Sequence, residues 1–286
     1  MTNPLLFSDF IYSKLSASKV LDKYLEIIHR LTDTVIQERQ HYLKEVNDRN
    51  TKETTFSSGK NRQCLLDTLL TVNIDQNPLS LEEIRYEVNT FLLAGVDTTT
   101  AAMAFVLYAL GKYPQEQEKL VQELQDCDME ACDLITSNEL NKLEYLDMFL
   151  KECMRYYTIA PLTGRQTTAT TKIGQRIYPP GITLWINMYG LAHDKTLFED
   201  PMMFKPSRFA KNLHDNIPSF SYIPFSAGPH SCIGRKYAVL IMKILTIKIL
   251  QNFKVELEKP DEDLVLMMEM VLKSKNGINL KFKERL

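Results

Sequence analysis

From Ala17 to Asn47 apolar residues recur at helical spacing, at Leu21, Leu25, Ile28, Leu31 and Val35, which predicts an amphipathic helix. The polar stretch from Asn50 to Asn61 contains Ser57-Ser58-Gly59 and predicts a flexible loop. Ser80-Leu81-Glu82-Glu83 has the serine and glutamate of a capping box. Behind it the chain stays helix-compatible to Gly111 and Pro114, a helix of about 45 Å at about 1.5 Å per residue. Inside that helix, Ala94-Gly95-Val96-Asp97-Thr98-Thr99-Thr100 places a glycine and three β-branched hydroxyl residues where propensity disfavours them. A local rule broken in mid-helix marks a candidate functional site.

Pro114 to Gln125 and Asn141 to Tyr157 read as packing helices. Thr171 to Asn187 is rich in β-formers around Pro179-Pro180-Gly181 and predicts a hairpin turning there. Asp194 to Phe225 is punctuated by Pro, Asp and Asn, and reads as an ordered meander. After Cys232 the run to Phe253 predicts a buried helix, with β-like pieces at Leu264 to Leu272 and Ile278 to Phe282. The fold class is mainly α with a small β region.

Composition narrows the function. With 44% apolar and 24% charged residues over 286 positions, the chain has the balance of a globular protein. A net charge of -2 supplies no basic field for nucleic acid. The five cysteines are odd in number and form no C-x-x-C pair, which speaks for a reducing compartment and against a disulfide framework or zinc knuckle; Cys127 and Cys132 are read as incidental. The longest apolar run, Ala101 to Leu110, is shorter than the roughly 18 residues of a membrane span and reads as buried helix. Met1 is followed by no secretory signal, so nothing in the chain is expected to target or anchor it, although the patch Pro4 to Ile11 has the character of a bilayer-touching segment. His29, His41, His193 and His214 show no metal-ligand spacing, and no serine or cysteine sits in a nucleophile elbow.

One cysteine stands apart. Cys232 follows Pro224-Phe225-Ser226-Ala227-Gly228-Pro229-His230-Ser231 and precedes Ile233-Gly234 and a long helix. Unpaired amides and the helix dipole there would stabilise a thiolate, which binds iron. Gly228 and Gly234 allow backbone to approach a flat cofactor. A lone cysteine is ordinarily a structural one, but Phe-x-x-Gly-x-x-x-Cys-x-Gly at this spacing resembles the haem-ligand loop of cytochromes P-450. Three further motifs agree with it. Ala94 to Thr99 is similar to that family's oxygen-activating segment, which implies a catalytic proton relay through Asp97 and Thr98. Glu152 and Arg155 lie three apart on one helix face, and with Arg208 of Phe204-Lys205-Pro206-Ser207-Arg208-Phe209 the resemblance implies a buried structural network holding the meander. Arg165 matches a position that in many members pairs with a haem propionate, and His230 stands where an arginine usually does the same.

The resemblance covers nearly the whole chain and is strongest to family 4 in Ile186 to His193, Phe220 to Cys232 and Leu272 to Gly277. It implies a P-450 fold truncated on its amino-terminal side, one haem-binding portion with mid-protein helices and a loop in 1–79 and the motif-bearing elements in 80–286. The implied cofactor is haem b, bound by Phe225, Gly228, His230, Cys232, Gly234 and Arg165 with Cys232 as axial ligand. Ala94 replaces the glutamate through which many family-4 members attach haem, so the haem is expected to be non-covalent. Val96 departs from the histidine common there and resembles the mitochondrial branch. The implied activity inserts one atom of O2 into a C–H bond of a lipophilic, fatty-acid-like substrate. Electrons would come from NADPH through a reductase docking near Arg235 and Lys236, with cytochrome b5 as a further partner. Phe91, Leu92, Ala94, Leu162 and Val271 are candidates for the substrate side. The implied location is the cytoplasmic face of the endoplasmic reticulum membrane, with the mitochondrion as alternative. A second function class is a truncated, catalytically incompetent haem-binding or partner-binding fragment; a third, a cofactor-free helical protein, is disfavoured by the four motifs together.

Overall fold

The apolar spacing behind Ala17 folds as helix α2 (Ser16–Asn50), preceded by the single turn α1 (Asp9–Tyr12). The computed structural model describes residues 9–50, 64–74, 77–129, 134–211, 217–262 and 264–285; the loop expected after Asn50, residues 4–8 of the amino-terminal patch, Cys132 and His214 lie outside them. Of that patch, Phe10 and Ile11 are exposed. Two compact units are present, Met1–Ala94 and Gly95–Leu286.

In the first unit, α3 (Leu65–Thr71) docks on α2 through the Arg39 guanidinium, which donates to both oxygens of buried Asp67 at 2.6 and 2.8 Å. That fork holds the Asp67 carboxyl well below the usual carboxylate range. A short ladder, β1 (Asn73–Ile74) with β2 (Asn77–Pro78), leads to α4 (Leu81–Lys112). The capping box forms as the sequence predicts: Ser80 N–H donates to Glu83 Oε2 at 2.8 Å, and Glu83 N–H to Ser80 Oγ at 3.3 Å. The first half of α4 is tied to α2, Arg85 forking onto Asp33 at 2.5 and 2.9 Å and Thr32 Oγ1 donating to Asn89 Oδ1 at 2.7 Å. These ties keep the first half of α4 in the first unit, which ends at Ala94.

In the second unit the rest of α4 carries the core: Phe105, Val106, Ala109 and Leu110 are buried. Each such large apolar side chain contributes about 1.5–3 kcal/mol on burial. Against them pack α5 (Pro114–Asp126), the single turn α6 (Ser137–Leu140) and α7 (Glu144–Tyr156), which buries Leu146, Phe149, Leu150 and Cys153. Tyr157, just past α7, stacks on Phe105 with centroids 4.8 Å apart. Gln117 of α5 is wholly buried and splices three segments, donating to Leu110 O and Val255 O and accepting from Val255 N–H.

The β region departs from expectation in one respect. Strand β3 (Leu162–Gln166) pairs antiparallel with β6 (Thr183–Asn187), while β4 (Thr171–Ile173) and β5 (Arg176–Tyr178) form a separate hairpin. The hairpin therefore turns at Gly174, whose φ is +59°, and not at Pro179-Pro180-Gly181. That proline pair instead feeds β6, with Thr167 closing the corner by accepting from Gly181 N–H and donating its own N–H to Ile182 O. Beyond the short α8 (Met188–Ala192) the chain runs irregularly, with a 3-10 turn at Pro206–Phe209, as the composition predicts for a meander.

Helix α9 (Arg235–Asn252) follows the Cys232 loop, but its burial is one-sided: Met242, Thr246, Ile247 and Leu250 face the core, while Tyr237, Leu240 and Leu245 are exposed. It stops at Asn252 because Phe253-Lys254-Val255-Glu256-Leu257 alternates with period two and becomes β7, paired with β10 (Leu280–Glu284). A last hairpin joins β8 (Leu266–Met268) to β9 (Leu272–Ser274).

Candidate functional site

The loop before α9 is folded by its own backbone. Cys232 N–H donates to Phe225 O at 2.9 Å, Ser231 N–H to Gly228 O at 3.0 Å and Ser226 N–H to Ile223 O at 2.9 Å. Gly228 has φ +79°, a left-handed conformation that costs other residues, and no atom lies within 4 Å of where its Cβ would be. A Cβ on Gly234 would meet only the Cys232 sulfur, at 3.9 Å. The thiol is exposed and in no disulfide, one residue from Ile233, itself 85% exposed, and three residues before Arg235, where α9 begins. Helix amides at that end lack intrahelical partners and favour negative charge.

These features fit a haem. Among the described residues no group of three His, Cys, Asp or Glu side chains could hold a bare ion. A porphyrin brings a metal's other ligands with it and asks of the protein one donor such as Cys232. The open space over Gly228, the exposed Ile233 and the half-buried Phe225 give that flat group room and an apolar bed.

Arg165 is brought to this loop. On β3 it donates to Thr163 Oγ1 at 3.1 Å and to Gly164 O at 2.8 Å, and its Nη2 reaches Ser226 Oγ at 3.5 Å. No carboxylate pairs with it among the described residues, which leaves a half-buried cation beside the Cys232 loop available to an acidic ligand group. His230 is exposed on the same loop. The β3–β6 register sets Leu162 and Gly164 on the ribbon face opposite Thr163 and Arg165. Leu162 thus shares a face with Trp185, 70% exposed and cross-strand from Gly164, rather than with Arg165.

The Glu152–Arg155–Arg208 network forms as expected and is entirely buried, at 0%, 1% and 9% exposure. Arg155 uses all five donors: Nε and Nη2 reach the two Glu152 oxygens at 2.8 Å, Nη1 reaches Ala192 O and Pro201 O, and Nη2 also reaches Met203 O. Arg208 Nε donates to Glu152 Oε1 at 3.1 Å, and its Nη atoms to the Glu199, Asp200 and Met203 carbonyls. Lys205 N–H completes the set on Glu152 Oε1 at 2.8 Å. A planar fork satisfied at every position pins the meander to α7.

On α4, Gly95 has nothing within 4 Å of a would-be Cβ, which leaves that helix surface open. Asp97 is not a solvated carboxylate: Lys273 of β9 reaches its Oδ1 at 3.0 Å and also Glu269 at 3.6 Å. Asp97 holds the Lys273 ammonium above the usual lysine value through that hydrogen bond. Sequence reasoning missed Lys273 because the pair is non-local and no spacing rule links a mid-helix Asp to a distant strand. Thr98 is exposed. Among the substrate-side candidates, Leu92, Ala94 and Leu162 are exposed and Phe91 is half-buried, but Val271 is buried at 3%. It lies in the β8–β9 turn, beside the Leu272 N–H to Ile159 O bond.

The cytochrome P450 family profile matches residues 2–282. Cytochrome P450 4d2 of Drosophila melanogaster is 36% identical over 96% of this chain and 55% of its own length. Cytochrome P450 4V2 of Mus musculus is 35% identical over 100% of this chain and 55% of its own length. The chain spans about half the length of the curated relatives it matches. Two crystallised proteins share the fold: a cytochrome P450 (CYP102L1), TM-score 0.77 and 24% identity over 91% of this chain and 56% of its own, and a mutant cytochrome P450DA heme domain, TM-score 0.80 and 23% identity over 100% and 57%. With a family match running almost end to end over a chain whose cysteine loop and Glu-Arg-Arg network are both in place, the protein belongs to the cytochrome P450 family.

Proposed function

We propose that this chain binds haem b non-covalently through the Cys232 thiolate. In our reading it serves a monooxygenase that inserts one atom of O2 into a C–H bond of a lipophilic, fatty-acid-like substrate. The observation that carries the reading is the exposed Cys232 thiol at the start of α9, on a loop whose glycines leave its surface open. Bound there, haem would supply the oxygen chemistry, with thiolate ligation favouring O–O cleavage. The chain's own part is to hold and to feed that group. Phe225 and Ile233 offer apolar contact, Gly228 and Gly234 keep the backbone low, and Arg165 offers charge to a propionate, with His230 as a second donor. Asp97 and Thr98 move protons from solvent toward the reacting side. Ala94 offers no carboxylate for a covalent link to haem. Phe91, Leu92 and Leu162 are the proposed substrate contacts.

For the electron donor, a groove of about 650 Å³ opens beside the loop, lined by Leu150, Met154, Tyr222, Arg235, Lys236 and Lys243 among others. Lys243 is partly neutralised by Asp147, which lies 3.2 Å from its ammonium, whereas no carboxylate among the described residues pairs with Arg235 or Lys236. Two uncompensated cations beside an apolar groove suit an acidic redox partner such as an NADPH-dependent reductase or cytochrome b5. Placement at the endoplasmic reticulum membrane follows from the likeness to family 4, and Val96 keeps a mitochondrial location as the alternative.

The test is the reduced carbon-monoxide difference spectrum of the haem-reconstituted chain beside Cys232→Ala. A strongly red-shifted Soret band in the parent, lost in the variant, is the expected result; a parent band insensitive to Cys232 would refute the ligand assignment. The share of the relatives that the chain covers favours a second reading, a haem-binding or partner-binding fragment without turnover. A thiolate band with no product from a medium-chain fatty acid, reductase and NADPH would select it.

A further inference from the structure

The Asp97–Lys273 pair has a use beyond holding two elements together. We infer that Lys273 is the positioning residue of the proton relay, holding the Asp97 carboxylate in one orientation so that activated oxygen ends in product instead of escaping as hydrogen peroxide. This rests on the monooxygenase reading above. Lys273 grips Oδ1 at 3.0 Å, and no partner of Oδ2 is found among the described residues. A carboxylate held by one oxygen keeps the other to accept a proton from a bound water and pass it on, the water regaining a proton from bulk solvent, so that only O–H bonds are broken and made and no hydroxide is left behind. Adjacent helical residues do not face each other, so Asp97 and Thr98 project in different directions and Asp97 needs an external hold to keep a fixed rotamer.

Lys273 is well placed to give that hold. Its strand is anchored on both sides: Leu272, 4% exposed, donates its N–H to Ile159 O at 2.8 Å, and Lys273 itself pairs with Met267. Glu269, 3.6 Å from the ammonium, is a competing acceptor on the same hairpin and gives Lys273 a second resting place. Asp97 and Lys273 side chains are 29% and 39% exposed, open enough for water to reach the pair.

Two measurements on the full chain decide it. In the haem-free protein, 13C-labelled lysine NMR should show the Lys273 titration midpoint falling when Asp97→Asn is introduced; an unmoved midpoint overturns the inference whether or not haem binds. In the haem-loaded protein with reductase, Lys273→Met should cut product per NADPH about tenfold, raise peroxide release correspondingly and enlarge the solvent deuterium isotope effect, with KM unchanged. Lys273→Arg should restore most of the coupling. A Lys273→Met chain with parental coupling and isotope effect sinks the proposal, while a missing carbon-monoxide band in the parent sinks the haem reading and leaves the lysine titration to decide the pair.

Discussion

Replacing Arg155 by lysine keeps the charge and most of the volume but removes the planar fork, so it isolates what the five donors do. The native guanidinium satisfies Glu152 twice and the carbonyls of Ala192, Pro201 and Met203. Met203 O and Glu152 Oε1 keep donors from Arg208 and Lys205, but an ammonium held on Glu152 leaves the Ala192 and Pro201 carbonyls without the Arg155 donor they had, at about 1–3 kcal/mol each. The expected cost is therefore about 4 kcal/mol. Alanine would break the buried ion pair as well, about 3–5 kcal/mol on its own, and the sum approaches the whole stability of a typical domain, which makes lysine the informative variant. The control is Lys119→Ala, which removes an i,i+3 partner of Glu116 whose lysine is 56% exposed and should cost no more than about 0.5 kcal/mol. Urea unfolding followed by far-ultraviolet circular dichroism reads both. With a slope of about 3 kcal/mol/M, the Arg155→Lys midpoint should fall by about 1.3 M. A fall under about 0.3 M would refute the claim that every donor matters.

Phe105→Ala removes a ring 1% exposed and stacked on Tyr157; unfolding should become easier by about 3–5 kcal/mol. Gly228→Ala meets no atom within 4 Å but must hold φ +79°, so the stability loss should be only about 1–2 kcal/mol of backbone strain, while spectrophotometric titration should show weaker haem binding. Because Arg39 depresses the Asp67 carboxyl in the folded state, the α2–α3 contact contributes stability above the ordinary carboxylate pKa of about 3.9 and loses it as pH falls below that value. Hydrogen exchange of α3 amides should accelerate in acid, and Asp67→Asn should flatten that response.

The long helices were legible because their apolar period and caps are local: α2, α4 and α5 begin and end within a few residues of the places their sequences mark. The cysteine loop was legible because glycine, aromatic and thiol at fixed spacing constrain a short backbone path. What escaped was set by distant partners. Nothing near Pro179-Pro180-Gly181 tells that β6 will pair with β3 instead of β5, since the register depends on Thr167 closing the corner. The run after Cys232 is apolar enough to suggest full burial, yet whether Tyr237, Leu240 and Leu245 are covered depends on what packs there, not on α9. No local pattern marks Lys273 as the partner of Asp97, 176 positions earlier in the chain.

The arginine network grips the meander by its peptide groups. Ala192, Glu199, Asp200, Pro201 and Met203 each offer only a carbonyl, and Lys205 only an amide. A template read through the main chain is indifferent to which side chains it carries but strict about how many residues lie between its contacts. Between 192 and 205 the solvent-facing positions are therefore free to drift in composition, while buried Phe198 and the stacked Phe204 are held by packing, and the segment is closed to insertion or deletion: changing Met202 or Lys195, both solvent-facing, alters surface chemistry alone, whereas adding a single residue would slide every later carbonyl off its donor.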